Sequence, residues 1–182
     1  MAKTITTGNK GEAFIHSIIE GMGNKILKKW SNNSDWDLII QLPNGNQHHL
    51  EVKTQPRYLK YGGFSVEVGN KRLGNYIYQP KDFTFEGSPC VFTGLAVSNA
   101  DFYVFTNGRN MIYFVPTKAL KEWFKRIKTQ EEHRIKFGGY DRRSLQAQIK
   151  IEELEKISAH IINLKRKRGP KPSQVARIKI VE

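Results

Sequence analysis

Two carboxylates and a lysine occur close together in one short segment of the chain: Asp37, Glu51 and Lys53. Carboxylates held a few ångströms apart repel each other unless a cation lies between them. Oxygen donors without Cys or His are the ligands that Mg²⁺ and Mn²⁺ prefer. Such an ion polarises a phosphodiester oxygen and lowers the pKa of a bound water, while a nearby lysine can orient that water. The alternative is that Asp37 ends a strand and that Glu51 and Lys53 form an ordinary solvated ion pair.

The elements that must position these residues are two strands joined by a tight turn. Residues 38–40 and 50–53 are apolar-rich runs, and Asn44-Gly45 lies between them. Asn-Gly between two such runs is the strongest short-range signal for a β-hairpin. We therefore predict a hairpin that carries all three residues.

The length of the hairpin loop decides whether the acids share a face. Side chains alternate along a strand, so Glu51 and Lys53 point the same way. A two-residue loop would pair Asp37 with Val52 and place the two acids on opposite faces. A shared site therefore requires a three-residue loop with Gly45 in the left-handed conformation, or a bulge.

A helix is predicted over residues 8–30, because apolar residues recur at helical spacing and glycines mark its end. Glu12 falls in its first turn. One interpretation is an acid that stabilises the helix dipole, which is common at that position. The other is a carboxylate directed at the metal site through water.

The following segments complete an α/β pattern. Residues 56–63 mix basic and aromatic side chains, which suits phosphate contact and base stacking, and make Arg57 and Lys60 candidate DNA contacts. Residues 64–68, 100–105 and 111–115 read as strands, 69–90 as a loop, and Thr117 as the cap of a helix. This order predicts an α/β fold with a mixed central sheet flanked by helices.

Composition limits the class of protein and its partners. The 182 residues suffice for one domain with a core, plus an appendage. No apolar run is long enough to span a membrane, and the single Cys90 excludes an internal disulfide. We expect a cytoplasmic protein.

The net charge of +13 is unevenly distributed along the chain. Residues 1–117 contain 12 Lys and Arg against 9 Asp and Glu, whereas residues 118–182 contain 18 against 8. A nucleic acid is the simplest partner, with a solvated basic surface as the alternative.

The C-terminal part carries most of this charge. Residues 141–164 show apolar residues near helical spacing and predict an amphipathic helix. A basic run with Gly and Pro follows, and we expect it to be an arm that contacts phosphates. The candidate DNA-binding residues of this arm are Lys165, Arg166, Lys167, Arg168 and Lys171.

The order of these motifs resembles that of the PD-(D/E)XK nuclease superfamily. The motifs are Gly11-Glu12, Asp37 and the run Glu51-Val52-Lys53. The resemblance covers roughly residues 8–128 and extends to Gly94–Val104, which is similar to the fourth core strand of phage-type and resolvase-like members. It implies a restriction-endonuclease-like fold over residues 1–128, with residues 129–182 as a C-terminal helix and arm. It also implies cleavage of DNA that depends on a divalent metal ion, Mg²⁺ or Mn²⁺.

The resemblance assigns roles by position. Asp37 and Glu51 would be metal ligands, with the Val52 carbonyl as a third. Lys53 would be the catalytic lysine, and Glu12 the helix-one acid of many members. Further along, Gln55 matches a glutamine found after the motif lysine in some subfamilies.

Two features depart from the family pattern, and three functions remain open. Trp36 stands where the motif has its proline, and Asp35 is a rival to Asp37 as ligand. The functions are a site-specific restriction- or homing-like endonuclease, a Holliday-junction resolvase or other structure-specific nuclease, and a DNA-binding module without catalysis. The first two are expected to be homodimers or higher homo-oligomers, so that both strands are cut, and a phage- or mobile-element-encoded origin is compatible with either.

Overall fold

The computed structural model describes residues 7–29, 36–72, 83–138 and 143–164, and in them it shows three α-helices and eleven strands. The helices are α1 (Thr7–Gly21), α2 (Thr117–Gln130) and α3 (Ile151–Ile157). The strands are β1 (Lys25–Lys29), β2 (Leu38–Gln41), β3 (Gln47–Thr54), β4 (Gly63–Lys71), β5 (Phe83–Phe85), β6 (Ser88–Phe92), β7 (Phe102–Thr106), β8 (Met111–Pro116), β9 (Ile135–Gly138), β10 (Ser144–Lys150) and β11 (His160–Asn163).

The strands form two sheets. The first sheet has the order β1-β2-β3-β7-β8-β11, and its β3–β7 pair is parallel while the other pairs are antiparallel. The second sheet has the order β5-β6-β4-β10-β9 and is antiparallel throughout. This arrangement confirms the expected α/β fold with a mixed sheet, and it is consistent with a restriction-endonuclease-like fold.

Two apolar clusters lie on opposite faces of the first sheet. Leu50 and Val52 of β3 pack with Ile15 and Ile19 of α1. On the other face, aromatic residues of β7 and β8 pack with the alternating apolar residues of β4 and β10 and with α2 and α3. Because side chains alternate along β3, Glu51 and Lys53 point toward the side of the second sheet.

The predicted hairpin register is confirmed. Leu38 pairs with Leu50 and Gln41 with Gln47, and Leu42 donates its backbone N–H to Asn46 across a three-residue loop. Gly45 has a φ of 90°, so the left-handed three-residue loop, one of the two predicted alternatives, is the one observed.

The first predicted helix is too long. The expectation of a helix over residues 8–30 is wrong beyond Gly21, because β1 begins at Lys25 and pairs with β2. Gly23, with a φ of 79°, turns the chain between the two elements. The residues that follow the helix extend the central sheet by one strand.

The predicted amphipathic helix over residues 141–164 is wrong. Those of its residues that the structure describes form β10, the short helix α3 and β11. Leu145, Ala147 and Ile149 are buried and alternate with the less buried Gln146 and Gln148, which is the period of a strand. The spacing of four between residues 145 and 149 fits a strand as well as a helix. β10 and β11 lie beyond residue 128, yet they pair with β4 and β8.

Two smaller expectations also change. Residues 69–90 are not simply a loop, because β4 extends to Lys71 and β5 and β6 form a hairpin; residues 73–82 lie outside the described part. Thr117 does not cap α2, since it is the first helical residue and its buried hydroxyl finds no hydrogen-bond partner among the described residues.

Within the described ranges, no helix is long and apolar enough to cross a membrane.

A buried arginine connects α2, β10 and α3. Arg134 is 7% exposed and donates hydrogen bonds to Glu131, to Glu153 and to the backbone carbonyl of Gln148. Burial opposes the charge of Glu153, but hydrogen bonds from Arg134 and Arg126 outweigh it and hold the pKa of Glu153 at about 2. A charge buried in this way stabilises a fold only while its partner is ionised.

Acid should therefore weaken the fold through Glu153. Its folded-state pKa lies below the usual value of 4.5, so its contribution is present above pH 4.5 and is lost as the pH falls toward 2. We expect the loss to amount to roughly 1–2 kcal/mol once solvent screening is allowed for. Urea unfolding of wild type and Glu153→Gln between pH 2 and 6 measures it. Equal pH dependence in both proteins would contradict the role given to Glu153.

Candidate active site

Asp37 is fixed to strand β3 by its backbone and its side chain. Its N–H donates to the Leu50 carbonyl at 2.8 Å, and its Oδ2 accepts the Val52 N–H at 2.6 Å. The hairpin register, extended by one residue from the Leu38–Leu50 pair, places Asp37 across from Glu51. The two acids predicted to share a site therefore lie on adjacent strands at the same level.

Lys53 is the cation closest to this pair. Its ammonium contacts Glu51 Oε1 at 2.5 Å, and the two side chains are 30% and 17% exposed. Both residues belong to β3 and lie two positions apart, so they share a face of the strand. The expected set of two carboxylates and an amine is brought together in the structure.

The acids of the site are held with raised pKa values. Burial raises the pKa of Glu51, and the charges of Asp37 and Glu12 raise it further, against the opposing effect of Lys53. Burial also raises the pKa of Asp37, although the Val52 N–H and Lys53 partly offset it. Three acids whose charges act on each other beside one lysine form a strongly negative site.

Glu12 reaches this site from the other element that packs on β3. Burial raises its pKa, and the charge of Asp37 raises it further while Lys53 lowers it. The start of α1 lies against the end of β3, because a Cβ on Gly11 would stand 1.5 Å from Thr54 Oγ1. Only a glycine permits this approach. It brings the first turn of α1, and with it Glu12, to the two acids.

The donor set fits a hard divalent cation. The residues that the structure describes contain no group of three His, Cys, Asp or Glu side chains arranged to hold a metal ion. The predicted set, however, has only the Asp37 and Glu51 carboxylates and the Val52 carbonyl. Mg²⁺ is commonly bound through one or two carboxylates and keeps several waters. The excess negative charge of the buried acids also favours a cation at this place.

Gln55 has a different environment from the three central residues. Its side-chain amide donates to the Ser65 carbonyl at 2.6 Å and accepts the Ser65 N–H at 2.9 Å. This pair of bonds joins the end of β3 to β4 of the second sheet. In the structure Gln55 therefore positions the two sheets, and its side-chain hydrogen bonds are already used.

The candidate DNA-binding residues fall into two groups. Arg57 and Lys60 are exposed on a 3₁₀ turn that follows β3. The basic run from Lys165 to Lys171 lies outside the described residues, as does Asp35, the rival of Asp37. The described part of the chain thus places basic side chains on the segment directly after the site.

The sequence did not single out His49, which is on the same face of β3 as Glu51. Asp101 accepts the His49 N–H at 2.8 Å and lies 3.3 Å from the His49 ring nitrogen Nδ1. The Trp36 ring packs on the His49 ring at 5.3 Å, beside Asp37. The two-residue period of β3 was the signal that could have found it.

Comparison with known proteins yields one structural likeness. No protein family and no curated protein matches the chain. Among solved structures, a bacterial homing endonuclease, I-Ssp6803I, is similar over 94% of this chain and 86% of its own, with 16% sequence identity and a TM-score of 0.47. A likeness at this level assigns neither a family nor an activity.

Proposed function

We propose that the protein is a DNA endonuclease of the PD-(D/E)XK type that depends on a divalent metal ion. The observation that carries the proposal is the convergence of Asp37, Glu51 and Lys53 on one face of a hairpin, with Glu12 brought close from α1. These are the residue types that metal-assisted phosphodiester hydrolysis needs. Three partly buried acids beside one lysine destabilise a fold, so a purely structural role explains them poorly.

Some of these residues would bind the metal ion, and others would act on the phosphate or on the attacking water. Asp37, Glu51 and the Val52 carbonyl would hold Mg²⁺, or Mn²⁺ in its place, and the ion would polarise the phosphate and activate a water. Lys53 lies where its ammonium can offset the charge that develops on the phosphate. Glu12 can accept a hydrogen bond from a water beside the acids. Gln55 then acts by holding β3 against the second sheet.

Duplex DNA is the proposed substrate, cut at a specific site in the restriction- or homing-like manner. The net charge of +13 favours a polyanion, and Arg57 and Lys60 would contact phosphates beside the site. The basic residues 165–171 would add a salt-dependent contact. We propose a homodimer, since one site cuts one strand. A junction-specific nuclease on the same fold, and a binding module without catalysis, are the competing functions.

A digest with Mg²⁺ separates these functions. Plain duplex, a four-way junction and a single strand are incubated with wild type, with Lys53→Ala, and with Lys125→Ala as a control at an exposed lysine far along the chain. We expect duplex fragments from wild type and Lys125→Ala, and a loss of about 10²–10³ in rate for Lys53→Ala. Cutting of the junction alone would favour the resolvase. DNA binding without any cutting would refute the nuclease proposal.

A further inference from the structure

A short turn after the candidate active site exposes two large apolar side chains. In the 3₁₀ turn Tyr58–Tyr61, Leu59 is 69% exposed and Tyr61 is 60% exposed. Single exposed apolar residues are normal on a protein surface, but two large ones in one short turn make it a small apolar patch. Arg57 precedes these two residues, Lys60 lies between them in the sequence, and both basic side chains are exposed as well.

Packing and hydrogen bonds hold the backbone of this turn in place. Tyr58 is buried and stacks on Phe64 at 4.6 Å between ring centroids. Gly62 is left-handed with a φ of 72°, and its N–H closes the turn onto the Leu59 and Tyr58 carbonyls. The side chain of Gln148 in β10 donates to the Tyr61 carbonyl. A turn fixed in this way presents its exposed side chains without a backbone ordering cost on binding.

The turn also lies near the site where a phosphate would be cut. Leu59 lies six positions after Lys53, so their Cα atoms are at most about 20 Å apart even in a fully extended chain. That distance corresponds to about six base pairs along a DNA strand. Leu59 is therefore within reach of a duplex whose phosphate lies beside Lys53.

We propose that residues 57–62 form a wedge that inserts Leu59 and Tyr61 against an unstacked base step beside the cleaved phosphate. Apolar side chains on a rigid support unstack DNA in this way, while adjacent cations hold the backbone. Arg57 and Lys60 supply those cations, and Tyr61 supplies a ring on which a base can stack. The inference rests on the proposed function, because it takes duplex DNA as the occupant.

Binding to DNA that is already unstacked tests the wedge. The probes are an intact 24-base-pair duplex and the same duplex with a central two-base mismatch, both in EDTA so that no cleavage occurs. A mismatch removes part of the unstacking free energy, so wild type should bind it about tenfold more tightly. We expect this ratio to fall toward one in Leu59→Ala and in Tyr61→Ala. Leu27→Ala, at an exposed leucine in β1, should keep the wild-type ratio.

Each other outcome counts against the wedge. An unchanged ratio in both turn variants, with affinity retained, would show that Leu59 and Tyr61 do not touch the bases. A changed sedimentation coefficient in Leu59→Ala would instead assign the patch to contact between copies of the chain. If wild type neither binds nor cuts duplex with Mg²⁺, the proposed function itself fails, which is a different result from retained binding with an unchanged ratio.

Discussion

Replacing Glu51 by Gln should abolish cleavage and, at the same time, raise the thermal stability of the metal-free protein. The first effect follows because the variant loses one of the two carboxylates that would hold the ion. The second follows because Glu51 is a partly buried acid, and both its burial and the charges of Asp37 and Glu12 disfavour its ionised form. The amide has a similar shape and carries no charge to bury.

The sign of the stability effect depends on the direction of the pKa. The folded-state pKa of Glu51 is raised above its usual value of 4.5, so the folded protein binds the proton more tightly than the unfolded chain does. Stability from this group is present below pH 4.5 and is lost as the pH rises through the raised pKa. At neutral pH the ionised acid therefore destabilises the fold, and Glu51→Gln removes that effect.

Melting curves at pH 7 with and without Mg²⁺ measure both parts. We expect Glu51→Gln to melt about 2–4 °C above wild type in EDTA, which corresponds to ~1 kcal/mol for a chain of this size. Mg²⁺ well above its Kd should raise the wild-type melting temperature by several degrees and leave the variant unchanged. Glu122→Gln, at an acid that is 61% exposed, is the matched control and should neither gain stability nor lose cleavage. A variant that still cuts DNA at the wild-type rate would remove Glu51 from the site.

The second large effect is expected at Gly11. In Gly11→Ala the new methyl group would stand 1.5 Å from Thr54 Oγ1 and 2.5 Å from Thr54 Cβ, so the start of α1 must move away from β3. Overpacking of a buried contact typically destabilises a protein by about 1–3 kcal/mol. The same movement carries Glu12 away from Asp37. Both the melting temperature and the cleavage rate should therefore fall.

The same helix offers a matched control. Gly21, also in α1, has nothing within 4 Å of an added Cβ. Gly21→Ala should leave cleavage unchanged and should not lower stability, because Ala is the better helix former. In addition, the double variant Gly11→Ala/Thr54→Gly removes the side chain that causes the clash and should recover part of the loss. If Gly11→Ala matches wild type in both measurements, the close packing of α1 on β3 is not needed.

The hairpin could be predicted because its signals are local. Asn44-Gly45 indicated the turn, and the need for Asp37 and Glu51 to share a face left two alternatives, a three-residue loop with Gly45 left-handed or a bulge. The three-residue loop is observed. The three central residues of the site follow from it, since strand alternation alone places Lys53 beside Glu51.

Features that depend on distant parts of the chain could not be predicted. The spacing of Leu145 and Ile149 fits a helix until β4 is known to pair with β10. The double hydrogen bond of Gln55 with Ser65 requires the second sheet. The contact of Asp101 with His49 joins residues that are far apart in the sequence, and the strand period alone does not reveal it.

The pairing of β4 with β10 sets a delay during synthesis on the ribosome. The end of β10 is made about 80 residues after the end of β4, which at about 5–20 residues per second takes roughly 4–16 s. For that interval the nascent chain contains Asp37, Glu51 and Lys53 but lacks the strand that completes the second sheet and the Gln148 side chain that fastens the turn after β3. We expect the proposed nuclease site to be completed only after translation has passed residue 150.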